Sequence, residues 1–248
     1  MSRIAIIAAM EREVKPLIRG WKVRPLEHGG RQYRLFENGD AVLICGGIGA
    51  EAARRATEAA IQEARPVRVV SVGFAGALDS TLKVADVFEP HAVINAADGA
   101  RAETGSGQGT LVSYAAVAGR EQKQRLGRAY GAAAVDMEAA AVAQGAQARG
   151  VEFAALKAIS DVADFSMPAA ERFVASGGQF RTVMFALHVA ARPWLWGSTI
   201  VLARNTARAS RALCAAIEAY LKRETFAREL NQKQDRPELV GGHTLEKQ

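Results

Sequence analysis

Short apolar runs set between Ala-rich stretches of helical length constrain this chain more than any other feature of it. The runs are Ile4 to Ala9, Ala41 to Cys45, Arg68 to Phe74, Val87 to Ile94 and Phe153 to Ser160. Each has the length and apolar content of a buried strand. Ala50 to Ala64 and Met137 to Arg149 have helical length, and Gly150 stops the second. Alternation of this kind predicts an α/β fold of three layers, α/β/α, around a central mixed, mostly parallel sheet. Ligands of such sheets gather beyond the carboxyl ends of the strands.

A chain of 248 residues, 49% hydrophobic and with seven prolines, fits one sizeable core better than two. After residue 165 the composition changes. Met167 to Gln179 and Phe180 to Arg192 read as short helices, and a long helix runs from about Thr199 to beyond Tyr220. The expected organisation is a catalytic core over 1–165, a helical extension over 166–225 that completes the same domain, and a polar, flexible tail over 226–248. Cys45 and Cys214 lie far apart, which gives no disulfide framework and fits a reducing cytoplasm. Met1 to Ala9 runs straight into charged Glu11, Arg12 and Glu13, unlike a signal peptide.

The net charge of +6 is concentrated late, in residues such as Arg204, Arg208 and Arg211. No basic stripe interleaved with aromatics precedes it, so nucleic acid is excluded as a partner. The apolar stretch Phe185 to Ala203 is interrupted by His188, Arg192 and Pro193, which argues against a transmembrane span. Peripheral contact with a membrane through the C-terminal helices stays open. Glycine-rich corners follow three strands, at Gly46 to Gly49, Gly73 to Gly76 and Glu103 to Gly109. None fits a Walker loop or the full dinucleotide fingerprint, each taken alone reads more readily as a plain turn, and no metal or cofactor is expected.

Four blocks recur in a telling order: Ile6-Ile7-Ala8-Ala9-Met10-Glu11-Arg12-Glu13-Val14, Gly46-Gly47-Ile48-Gly49, Val135-Asp136-Met137-Glu138-Ala139, and Ala158-Ile159-Ser160-Asp161-Val162-Ala163-Asp164. Together they resemble bacterial 5'-methylthioadenosine/S-adenosylhomocysteine nucleosidases of the purine nucleoside phosphorylase superfamily, over about residues 3 to 165. The resemblance implies a nucleoside phosphorylase-like fold, an adenine nucleoside as substrate, and a homodimer or larger homo-oligomer. It assigns catalysis to Glu13, Glu138 and Asp161. It places Met10, Ile48, Phe74, Ala75, Gly76, Val117, Ala118, Met137, Lys157 and Ser160 at the substrate.

These residue types suit the chemistry. Adenine leaves poorly as an anion, so an acid such as Asp161 must protonate or hydrogen-bond it. The sugar becomes oxocarbenium-like, and a carboxylate such as Glu138 can grip its hydroxyls and stabilise that charge. Glu13 is the base that the resemblance implies for water. Each acid also has a plain structural reading: a first-turn residue favoured by the helix dipole for Glu13 and Glu138, a helix cap for Asp161. Asp136 and Asp164 read as structural.

Phosphorylases of this superfamily carry a phosphate-binding arginine where this chain has Ser71, and a serine or threonine where it has Phe74. Water is therefore the expected nucleophile, with Arg12 as the residue that keeps phosphate open. Other departures concern the substrate: Val117 stands near the position of the family's base-stacking phenylalanine, and Lys157 replaces its arginine. Beyond Asp164 the chain resembles the hopanoid-associated phosphorylases, through Met167 to Ala170, Arg192-Pro193 and a long arginine-bearing last helix. That branch implies a lipid-linked adenosine. A non-catalytic nucleoside-binding protein is the alternative of another class.

Overall fold

The computed structural model describes residues 3–165 and 196–234. In chain order its elements are β1 (Ile4–Ala8), α1 (Glu11–Ile18), β2 (Lys22–His28), β3 (Arg31–Asn38), β4 (Ala41–Cys45), α2 (Ala50–Ala64), β5 (Arg68–Ala77), β6 (Val87–Phe88), β7 (Ala92–Asn95), β8 (Arg101–Glu103), β9 (Thr110–Ser113), α3 (Arg120–Tyr130), β10 (Ala134–Asp136), α4 (Ala139–Gln147), β11 (Glu152–Asp161) and α5 (Trp196–Gln234). The strands join in one sheet, ordered β2-β3-β4-β1-β5-β10-β9-β7-β8, with β11 pairing β5 off this path and β6 pairing β11.

β5 is the hub. One of its edges is shared: β1 runs parallel beside Arg68 to Ser71, and β10 runs antiparallel beside Gly76 and Ala77. β11 lies parallel along its other edge for nearly its whole length. The sheet is mixed. Among the described residues five pairings are parallel and five antiparallel. β1, β4, β5 and β11 share one direction, so their carboxyl ends open at one end of the sheet.

Helices cover both faces. α2 and α4 pack on each other and on one face, where Ala56, Ala60 and Ala143 let them approach the buried Val69 and Leu111. α1 and α5 pack on the other, around Leu43, Val70, Leu156, Leu213 and Ile217. Each cluster is built from alternate residues of the same strands, because successive side chains point to opposite faces.

The run Val87 to Ile94 is two strands. Pro90 has no N–H to donate to a ladder, and the chain turns there: β6 pairs with β11 whereas β7 pairs with β8 and β9. α5 begins at Trp196 and continues through Gln234, past the expected tail boundary at 226. The expected helices Met167–Gln179 and Phe180–Arg192, with the Met167 to Ala170 and Arg192-Pro193 features, lie outside the described residues, as does the chain beyond 234.

Candidate active site

A pocket of about 400 Å³ opens at the shared carboxyl end of the parallel strands, a size and place typical of small-molecule sites in such folds. Glu13, Glu138 and Asp161 reach it from three different elements, and Met10, Ile48, Phe74, Ala75, Gly76, Val117, Ala118, Met137 and Ser160 line it with them. Lys157 does not. It lies beneath the floor, where residue chemistry alone could not distinguish a buried cation from a pocket cation.

Glu13 sits in the first turn of α1, which starts directly after β1. Its carboxylate accepts the Met10 N–H at 3.3 Å, a reciprocal cap on the helix start. The helix dipole accounts for the position but not for the burial. Glu13 is only 3% exposed, and loss of water pushes its carboxyl from 4.5 up to about 7, against smaller opposing effects of the Met10 N–H and of Lys157. Gly73 makes this burial possible. A Cβ there would stand 3.2 Å from Glu13 Oε2, and its φ of +150° is one that side-chain-bearing residues rarely adopt.

Glu138 immediately precedes α4. Its carboxylate accepts the Gly49 N–H at 2.7 Å, which ties the corner after β4 to the end of β10. Desolvation raises its carboxyl pKa, and the neighbouring negative charge of Asp136 adds to the rise. Asp136 also lines the pocket, and its carboxylate is engaged throughout: it accepts the Ser113 hydroxyl at 2.5 Å, caps α4 through the Ala139 N–H at 2.9 Å, and pairs with Lys157 at 2.8 Å.

Lys157 is 1% exposed and also donates to Ser71 Oγ at 3.0 Å. The residue that stands in place of a phosphate arginine is thus turned inward and engaged by a buried cation. Phe74 adds an apolar wall beside it.

Asp161 ends β11 at a register shift between Ile159 and Asp161. Such a bulge re-aims the side chain that follows it, and Asp161 faces the pocket. Ser160 Oγ donates to its Oδ1 at 2.6 Å. Its Oδ2 accepts from Lys123, a buried residue of α3. Sequence reasoning missed Lys123, because a lone lysine in a charged helix carries no pattern that sets it apart. It also missed Leu202, Ala203 and Thr206 of α5, which complete the pocket from the far end of the chain. Asp164 is exposed and pairs with Arg120 at 3.2 Å. Among the described residues no cluster suited to a metal ion occurs.

The family model of the phosphorylase superfamily matches residues 3–118 and 108–191. The chain belongs to the phosphorylase superfamily. A 5'-methylthioadenosine/S-adenosylhomocysteine nucleosidase of Glaesserella parasuis serovar 5 (strain SH0165) is 29% identical over 200 residues, covering 65% of this chain and 86% of that protein. Among solved structures, the nucleosidase of the same description from Colwellia psychrerythraea 34H, in complex with adenine, superposes with a TM-score of 0.59 at 24% identity, over 65% of this chain and 83% of that one. Futalosine hydrolase of Helicobacter pylori strain 26695 gives 0.57 at 23% identity, over 65% and 88%. A Helicobacter pylori nucleosidase mutant holding 5'-methylthioadenosine gives 0.63 at 19% identity, over 88% and 99%. At these identities the superpositions bear on the fold of this superfamily member, and its chemistry rests on the side chains above.

Proposed function

We propose that this enzyme of the phosphorylase superfamily hydrolyses the N-glycosidic bond of a 5'-modified adenosine and releases adenine. The observation that carries the reading is the convergence of Glu13, Glu138 and Asp161 on one largely apolar pocket, with Ser71 bound to Lys157. As the C1'–N9 bond breaks, its electron pair goes to the base, and Asp161 in its protonated form hydrogen-bonds or protonates the ring. Glu138 holds the ribose hydroxyls and stabilises the positive charge on the sugar. Water adds to C1', and Glu13 takes its proton. A carboxyl raised to about 7 is matched to that role near neutral pH.

The superfamily neighbours described as 5'-methylthioadenosine/S-adenosylhomocysteine nucleosidases and futalosine hydrolase define the panel to try. Purified protein is incubated with 5'-methylthioadenosine, S-adenosylhomocysteine, futalosine and adenosine, and the released base is followed by chromatography. Release of adenine from a 5'-modified substrate, abolished by Glu138→Gln in a folded variant, is the expected result. Tight binding of a nucleoside with no base released on long incubation would favour a non-catalytic binder.

A second reading, cleavage of a lipid-linked adenosine as in the hopanoid-associated branch, is favoured by one observation. Leu202 and Ala203 of α5 line the pocket, and the neighbouring Ile200 and Val201 are exposed. A large apolar 5' group would find these side chains in its path. Among the described residues no helix is long and apolar enough to cross a membrane. Adding an adenosine with a 5' hydrocarbon chain to the panel separates the two substrates.

A further inference from the structure

A buried cation at the pocket takes no part in the chemistry above. Lys123 belongs to the first turn of α3, and its side chain is 2% exposed. Its ammonium donates to Asp161 Oδ2, to the Val162 carbonyl at 2.8 Å and to the Phe165 carbonyl at 3.3 Å. An ammonium has three donors and no acceptor, so these partners saturate it, and all three lie on the end of β11 and the turn behind it. Ordering so long a side chain costs entropy, and removing its charge from water costs more. Apolar residues would fill the same volume without the second cost.

The contact joins two stretches of the chain that both line the pocket. α3 follows directly on Ala116, Val117 and Ala118, which line the pocket, and Asp161 lines it from the end of β11. The bulge in β11 sets Asp161 opposite Gly76. A Cβ at Gly76 would stand 3.0 Å from Asp161 Oδ2, 3.2 Å from Lys123 Cε and 3.4 Å from Lys123 Nζ. The hub strand thus leaves room for the pair where any other residue would crowd it. Arg120, three residues earlier on α3, pairs with Asp164 as a second, exposed tie to the same turn.

We infer that Lys123 is a positioning residue for Asp161: it clamps the turn after β11 to the start of α3, and so sets the width of the slot that receives the purine and the direction of the carboxylate within it. The inference deepens the nucleosidase reading and rests on it for turnover, though not for binding of the base.

Lys123→Met keeps length and removes the three donors, and Lys123→Gln keeps part of them. Steady-state rates on the best nucleoside of the panel and adenine affinity by calorimetry are measured on variants shown folded by circular dichroism. In Lys123→Met, kcat falls on the order of 100-fold, as displacement of a catalytic group by about an ångström does. Adenine binding weakens about tenfold, and Lys123→Gln recovers part of both. In an Asp161→Asn background the same substitution costs less than about threefold, since residues acting as one unit are not additive.

Unchanged kcat and adenine affinity in folded Lys123→Met overturn the inference. Equal losses with and without Asp161→Asn overturn it too, because a merely structural lysine gives additive effects. If Lys123→Met does not fold, Lys123→Gln decides by the same readouts. A wild-type protein that binds adenine but releases base from no nucleoside contradicts the nucleosidase reading, and adenine affinity then decides the role of Lys123 alone. A wild-type protein that does not bind adenine overturns both.

Discussion

Glu13 holds a proton up to about pH 7 in the folded chain, whereas the ordinary glutamate value is 4.5. The folded state therefore binds more protons than the unfolded one between those values, and this group's contribution to stability falls as pH rises through the window. At pH 8 the buried charge opposes folding by about 3 kcal/mol. Glu13→Gln should accordingly melt several degrees higher than wild type at pH 8 and show little difference at pH 4, as read by thermal denaturation. The same variant should lose on the order of 100-fold or more in turnover, because it cannot take the water proton. In the wild type, kcat/KM should rise as pH increases through about 7, since the base must be ionised. Lys157 gives a contrasting case. Removing its ammonium by Lys157→Met leaves Asp136 buried and uncompensated, which should cost about 3–5 kcal/mol in urea unfolding. The acids were legible in the sequence because they stand inside ordered blocks. Lys157 was misplaced and Lys123 missed because their partners are remote in the sequence: Asp136 for the one, Asp161 for the other.

Among the elements, α5 carries consequences that its composition hides. It packs against α1, buries Leu213 and Ile217, and donates from Ser210 Oγ to the Glu13 carbonyl at 2.8 Å. α5 thus braces the backbone of the residue read as the catalytic base. Leu213→Ala should cost about 2–5 kcal/mol in urea unfolding, the usual range for a buried leucine, and Ser210→Ala about 1 kcal/mol. The central elements were legible: β1, β4, α2 and β11 fall within a residue or so of the apolar runs and the Ala-rich stretch that predict them. β2 and β3 were not, because β2 is an edge strand. Lys22 to His28 alternates charged with apolar residues and carries Pro25, and most of it stays in contact with water. Edge strands take charges and proline for that reason, and the result looks like a loop when only apolar runs are counted. α3 escaped for the same cause, since only its Lys123 and Leu126 are buried.

At the scale of the whole molecule, the parallel heart of the sheet gathers chemistry that is scattered along the chain. β1, β4, β5 and β11 end together, so residues as distant as Glu13 and Asp161 meet without long loops to position them. The same arrangement turns Ser71 toward Lys157 and leaves the apolar Phe74 at the pocket, which is why water is the nucleophile in this account. Arg12 also lines the pocket and is the residue that keeps phosphate open as an alternative. The measurement that bears most directly on the account is therefore the identity of the sugar product, read by phosphorus NMR and mass spectrometry after turnover in saturating phosphate. Hydrolysis predicts a free 5-substituted ribose, adenine release at the same rate with and without phosphate, and no phosphate consumed. Formation of a ribose 1-phosphate, with release that depends strictly on phosphate, would contradict it.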